Sequence, residues 1–221
     1  MAAIKTLEIV SPGIMTSVQD MGRYGYGRFG VAPSGALDSF AMRVANLLVG
    51  NREDQAGLET MLLGPGIRFL TEVVVAVTGG DLQPKRNKQP IEMWRSHAFQ
   101  KDDVLSFGSA VSGFRAYIAV AGGIAVPRLM DSRSTNLPSG FGGHEGRTLK
   151  KEDILVCDDP RGPKIESERF FNPEWAPQYS DKWKIRVVLG PQDDHFPDDS
   201  RATFSKNTYT MSQNSDRTGI R

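Results

Sequence analysis

The chain has 221 residues, room for one large domain or two small ones around a real hydrophobic core. Apolar residues make up 39% and charged residues 24%, and 27 Lys plus Arg stand against 26 Asp plus Glu. That balance argues against a polyanion-binding surface as the main function and leaves only a local basic patch open. The single cysteine, Cys157, excludes a disulfide framework within the chain, the N-terminus lacks the apolar core of a signal peptide, and no stretch is long enough to span a bilayer, so a soluble cytoplasmic protein is expected.

In chain order, short runs rich in Val, Ile and aromatics and bounded by Gly, Pro or Asp predict strands. They lie at 6–10, 58–63, 67–70, 73–78, 91–94, 104–107, 114–121 and 154–157. One segment has another period. Leu37, Phe40, Ala41, Val44, Leu47 and Leu48 recur at three and four, which predicts a helix with one buried face, and Ser39, Arg43 and Asn46 fall on its polar side. Ser34 or Asp38 fits its N-cap, and Gly50-Asn51 its left-handed end. Ala76-Val-Thr-Gly-Gly80 and Ala119-Val-Ala-Gly-Gly123 echo each other, as a duplicated β unit or as two strands ending in one kind of turn. From Asp158 prolines, charges and aromatics lose all period and read as a linker wrapped on the first domain. A strand at 185–189 and a short helix at 200–205 open a second unit. The expected organisation is 1–157, a linker over 158–183, and 184–221.

Three loops carry candidate chemistry. The first holds Gln19, Asp20 and Arg23 among glycines 22, 25, 27 and 30. Glycines let backbone approach a ligand, and Arg23 or Arg28 suits a two-pronged grip on a carboxylate or phosphate. The same residues also fit a tight turn with an Asp20–Arg23 salt bridge. The second, Ala32-Pro-Ser-Gly-Ala-Leu-Asp38, sets Ser34 and Asp38 at a helix start, where free N–H groups favour anions and where Asp38 equally serves as a plain cap. The third joins Ser132-Arg-Ser-Thr135 to Gly142-Gly-His-Glu-Gly-Arg147, suited to an oxyanion or carboxylate or else a mobile surface loop. Arg115 and Tyr117 alternate on one strand and point to one side, lining a barrel mouth or facing solvent. Asp81 ends a strand as a turn aspartate or an oriented carboxylate. No Gly-x-x-x-x-Gly-Lys-Ser/Thr loop occurs, so the standard nucleotide cradle is absent. His97, His144 and His195 have no close His or Cys partner, and no metal site is expected. Cys157 reads as a buried filler.

Taken in order, Thr16-x-Val18-Gln-Asp-x-Gly-Arg23, Gly30-Val-x-Pro-Ser-Gly-Ala-x-Asp38, Ala45-Asn-Leu-Leu-Val-Gly-Asn51, Leu58-Glu59, Thr78-Gly79, Phe114-Arg-Ala-Tyr117, Val120-Ala-Gly-Gly123, Ser132-x-Ser-Thr135, Gly142-Gly143 and Gly146-Arg147 form a pattern. It resembles the family of KipA, allophanate hydrolase subunit 2 and the PxpC-type subunit of 5-oxoprolinase, which is biotin-dependent carboxyltransferase-like. Ser215-Asp-Arg217 with Gly219 resembles a later landmark.

The resemblance implies a mainly β fold: a cyclophilin-like β-barrel with one prominent helix, followed by the start of a second, truncated β-barrel. It implies a subunit of an ATP-dependent 5-oxoprolinase that opens 5-oxo-L-proline to L-glutamate. The partners are a subunit 1 protein (KipI or PxpB-like) and a third subunit (PxpA or LamB/YcsF-like), with ATP bound in the complex rather than by this chain alone. Two alternatives stand beside it: a carboxyltransferase that uses carboxybiotin in a urea amidolyase, and a KipA-type regulator that binds the subunit 1 inhibitor without catalysis. Because family members continue for about another hundred residues, the isolated chain is expected to be inactive. On this reading Asp38 is the general base, Ser134 and Thr135 donate to an oxyanion, and Gln19, Arg23, Arg115, Tyr117 and Arg147 bind the substrate.

Overall fold

A computed structural model describes residues 4–159, 168–180 and 182–210. Residues up to Tyr179 form one compact unit, and those from Ser180 form another. The first is mainly β. Among the described residues its eleven strands are β1 (Ile4–Ser11), β2 (Ser17–Gln19), β3 (Gly57–Met61), β4 (Gly66–Phe69), β5 (Val73–Asp81), β6 (Lys85–Arg86), β7 (Gln89–Pro90), β8 (Ser96–Phe99), β9 (Val104–Ser106), β10 (Ser112–Val120) and β11 (Ile154–Cys157). They make two antiparallel sheets, ordered β11-β1-β4-β9-β6-β7 and β2-β3-β10-β5-β8.

Both sheets feed one core. Leu7, Ile9, Ile67, Phe69 and Leu105 come from the six-stranded sheet, and Val75, Val77, Phe99, Tyr117 and Ile118 from the five-stranded sheet, all essentially inaccessible. The rings of Phe69 and Phe99 meet across the two sheets at 4.5 Å between centroids. Each such aromatic contributes about 1.5–3 kcal/mol by leaving water. Cys157 is buried here as expected, its thiol pushed up to about 12 by burial, which removes it as a nucleophile.

The helix α1 (Ser39–Leu48) is capped by Asp38, whose side chain accepts from the Ala41 amide. Its end turns through Gly50 at φ +78°. The buried face differs from the sequence reading. Ala41, Met42, Val44, Ala45, Asn46 and Leu48 are inside, while Phe40 and Leu47 are exposed. Asn46 is pulled in by hydrogen bonds: Nδ2 donates to Gln55 O at 2.8 Å, and Oδ1 accepts from Asn51 Nδ2. A satisfied amide is tolerated in a core. Phe40 instead packs edge-on against Phe171, which itself lies on Trp94.

Seven of the eight expected strands in the first unit form. The expected strand at 91–94 is a turn, because Trp94 adopts φ +58°, a left-handed conformation incompatible with a ladder. The glycines of the internal echo differ: Gly79 and Gly80 lie inside β5, whereas Gly122 and Gly123 follow β10 in a turn. After Arg169 the chain returns to the five-stranded sheet. The Ser96 amide donates to Arg169 O, and the Phe171 amide donates to Trp94 O. Tyr179 packs on Gly113.

In the second unit the expected helix forms as α2 (Asp198–Lys206). Residues 185–189, expected as a strand, make no ladder among the described residues. The Ser215-Asp-Arg217 and Gly219 landmarks lie outside the described residues. No helix among the described residues is long and apolar enough to cross a membrane.

Candidate functional site

Four of the sequence-selected residues, Gln19, Arg23, Ser134 and Thr135, meet in one buried knot. Their exposures are 0%, 1%, 0% and 1%. The centre of the knot is Asp20. One carboxylate oxygen accepts from Ser132 Oγ, Ser134 Oγ and the Gly22 amide, and the other accepts from the Arg133 amide. The expected Asp20–Arg23 ion pair is not among the contacts. Arg23 Nη2 donates to Ser134 O and Nη1 to Ser34 Oγ, and the guanidinium lies over the Phe141 ring at 4.9 Å. Ser134 therefore joins the two charges. Burial pulls the Arg23 guanidinium below its ordinary value, and the nearby Asp20 charge opposes that pull. Thr135 Oγ1 donates to Val18 O, and Gln19 Nε2 donates to Ser17 Oγ. The loop at 132–135 is thus part of the core rather than a mobile surface loop, since each hydroxyl there satisfies a buried group.

The segment 33–38 leaves this knot and is fixed at every step. Pro33 O accepts from the Arg23 amide. Ser34 Oγ receives Arg23, the Gly35 amide donates to Gln19 Oε1, and the Ala36 amide donates to Asp20 O. The Leu37 amide donates to Glu59 Oε2 at 3.0 Å, and the Asp38 amide to Tyr117 Oη at 2.7 Å. Gly35 sits at φ +87°, and a Cβ there would lie 2.8 Å from the Gly22 nitrogen, so glycine is required.

The segment ends in a second cluster, which holds Asp38, Tyr117 and Arg115. Arg115 Nη1 pairs with Glu59 Oε1 at 2.9 Å, and the Glu59 side chain is 1% exposed. Burial and then the Glu59 charge push the Tyr117 phenol well above its ordinary range. Asp38 has two engagements. Oδ1 caps α1, and Oδ2 accepts from Tyr179 Oη at 2.6 Å. Burial and Asp38 likewise push the Tyr179 phenol up. Tyr179 was not foreseen in the sequence. It also lines a cavity of about 440 Å³ whose wall includes Asp81, Lys85, Trp94 and Ser112.

Arg147 stands apart from both clusters. It makes a two-pronged pair with Asp153 at 2.7 and 2.9 Å and a further bond to Glu145. The Arg147 guanidinium first, and then the Lys150 amide, hold Asp153 down at about 2. A carboxylate lowered in this way stabilises the fold above its unfolded value near 4 and loses that contribution as pH falls through about 2. The first unit should therefore lose about 2 kcal/mol between pH 4 and pH 2 from this group. Acid unfolding of Asp153→Asn, flatter over that window than the parent, is the measurement.

The loop 142–147 does not fit a triphosphate. Its one arginine is committed to two carboxylates, and the Gly146 amide is spent on Gly142 O. Arg28 covers the neighbouring Phe29 ring, and one Asp81 oxygen accepts from the Gln83 amide.

The chain as a whole is similar to known proteins in sequence and in fold. A family model described as carboxyltransferase domain, subdomain A and B, matches residues 29–221. The chain belongs to this carboxyltransferase-domain family. Its relatives include the urea amidolyase of Lachancea kluyveri, 38% identical over 97% of this chain and 12% of the relative. A 5-oxoprolinase subunit of the C type, from Escherichia coli (strain K12), is 34% identical over 97% of this chain and 67% of the relative. Among solved structures, the K. lactis urea amidolyase superposes with a TM-score of 0.87 at 35% identity, over 100% of this chain and 14% of that one. A crystal structure of TTHA0988 gives 0.84 at 29% identity, over 98% and 42%. This carboxyltransferase-domain chain thus spans about an eighth of the urea amidolyase and two thirds of the 5-oxoprolinase relative.

Proposed function

We propose that the chain acts as the PxpC-type subunit of an ATP-dependent 5-oxoprolinase, opening 5-oxo-L-proline to L-glutamate with two partner subunits that bring the ATP chemistry. The observation that carries this reading is the 34% identity to the Escherichia coli 5-oxoprolinase relative, along 97% of this chain and 67% of that protein. In this reading Asp38 is the proton acceptor and works through Tyr179. The phenol takes a proton at the cavity wall and passes its own to Asp38 Oδ2, to which it already donates. Arg115 and Tyr117 hold the Asp38 backbone and its neighbour Glu59. Gln19, Arg23, Ser134 and Thr135 fix the loop that presents Asp38, which makes them positioning residues here. Arg147 braces its own loop through Asp153.

The urea amidolyase reading has its own support, a 38% identity and a TM-score of 0.87. There the same surface would serve carboxyl transfer from carboxybiotin to urea. The deciding experiment combines this chain with the subunit 1 protein and the third 5-oxoprolinase subunit and measures glutamate release from 5-oxo-L-proline with ATP. Glutamate formation that requires all three chains is the expected result. Consumption of carboxybiotin with urea, and no glutamate, would overturn it in favour of carboxyl transfer. A stable complex without either reaction would overturn it in favour of the non-catalytic, KipA-type role.

A further inference from the structure

The cavity beside Tyr179 is built from backbone irregularities. Trp94, a bulky aromatic, sits at φ +58°, a conformation that costs about 1–3 kcal/mol and persists only where surrounding structure enforces it. Its amide donates to Val77 O at 2.8 Å, and its carbonyl accepts from the Phe171 amide at 2.8 Å. The indole is thereby set in the cavity wall. Opposite, the pairing of β10 with β5 shifts register between Ser112 and Ala116, a bulge of the kind that re-aims side chains near sites. Gly79 at φ +85° and Gly113 at φ +71° let the two strands pass at this point, and a Cβ on Gly79 would lie 2.7 Å from Arg115 O.

The polar groups on this wall are under-used by the fold. Lys85 has no carboxylate within 4 Å among the described residues, although its neighbour Arg86 pairs with Asp103 at 2.7 Å. Ser112 Oγ and Trp94 Nε1 have no hydrogen-bond partner among the described residues, and only one oxygen of Asp81 is engaged, by the Gln83 amide. One cation, one half-free carboxylate and one free hydroxyl therefore share a wall with the Trp94 indole, which is 9% exposed.

We propose that this cavity binds a small planar lactam or cyclic amide that bears a carboxylate. The carboxylate pairs with Lys85, the ring lies against Trp94, the ring N–H donates to Asp81, and the ring carbonyl accepts from Ser112. The choice of 5-oxo-L-proline as the test ligand rests on the 5-oxoprolinase reading; the assignment of the pocket rests on its geometry.

The chain has three tryptophans, and Trp175 and Trp183 are exposed. Replacing both with phenylalanine in the full chain leaves Trp94 as the sole reporter. Titration with 5-oxo-L-proline should quench its fluorescence saturably. Pyrrolidin-2-one, which lacks the carboxylate, and L-proline, which lacks the ring carbonyl, should each bind at least about tenfold more weakly, the scale of one charge-assisted hydrogen bond. Lys85→Met should abolish the advantage over pyrrolidin-2-one, while Lys101→Met, in a turn away from the cavity, should retain it. The proposal is overturned by a missing saturable response, or by a Lys85→Met protein that binds as tightly as its parent. Glutamate release by the assembled subunits without Trp94 quenching would sink the pocket and leave the functional reading standing. Quenching without glutamate release would do the reverse.

Discussion

Asp20→Ala should lower the unfolding free energy of the first unit by about 3–5 kcal/mol, the scale on which removing one partner from a buried charged network destabilises a fold. The carboxylate is 5% exposed and accepts from two serine hydroxyls and two backbone amides. Truncation leaves these donors dry, each at about 1–3 kcal/mol. It also leaves the Arg23 guanidinium, 1% exposed, without the nearby charge that offsets its burial. Urea unfolding followed by far-ultraviolet circular dichroism reads the loss. Ser134→Ala should cost less, since Ser132 and the two amides keep the carboxylate solvated. A loss below about 1 kcal/mol for Asp20→Ala would mean that the knot is decorative.

Gly142→Ala is the second large effect, expected at about 2–4 kcal/mol, combining a left-handed backbone with overpacking. Gly142 sits at φ +71°, and a Cβ there would run into Ser134 O and lie 2.8 Å from Arg23 Nη2. Gly140 separates the two causes. It has φ +65° and nothing within 4 Å of its would-be Cβ, so Gly140→Ala should show only the backbone cost of about 1–2 kcal/mol. Equal midpoints for the two variants would remove the steric part of the argument.

Much of the β framework was legible because a two-sided core imposes short apolar runs between glycines and prolines. Leu7 and Ile9 alternate inward, and Val75 to Val77 is continuous because both faces of β5 are covered. The misreadings have local causes. Trp94 belongs to an apolar run whose periodicity cannot report a left-handed backbone. Asn46 resembles a surface residue until its partners at Gln55 and Asn51 are known. In the candidate site, Gln19, Arg23, Ser134 and Thr135 were legible as loop residues with hydroxyls and a cation, but their burial was not. Whether an arginine faces a ligand or a carbonyl is decided by segments more than a hundred residues away, as with Arg23 and Ser134. Tyr179 was hidden for the same reason. It lies in an aperiodic proline-rich stretch and reaches Asp38 across 141 residues.

The stretch that presents Asp38 has an unusual encoding. The amides of Gly35, Ala36, Leu37 and Asp38 are each read by a different group, on Gln19, Asp20, Glu59 and Tyr117. What is read is main chain, which every residue type but proline supplies. The shape of this loop is therefore written less in its own letters than in positions before and after it. Drift at Ala36 or Leu37 leaves the carboxylate where it is, whereas a change at Glu59 or Tyr117, in strands that never carry the label of the loop, rewrites it.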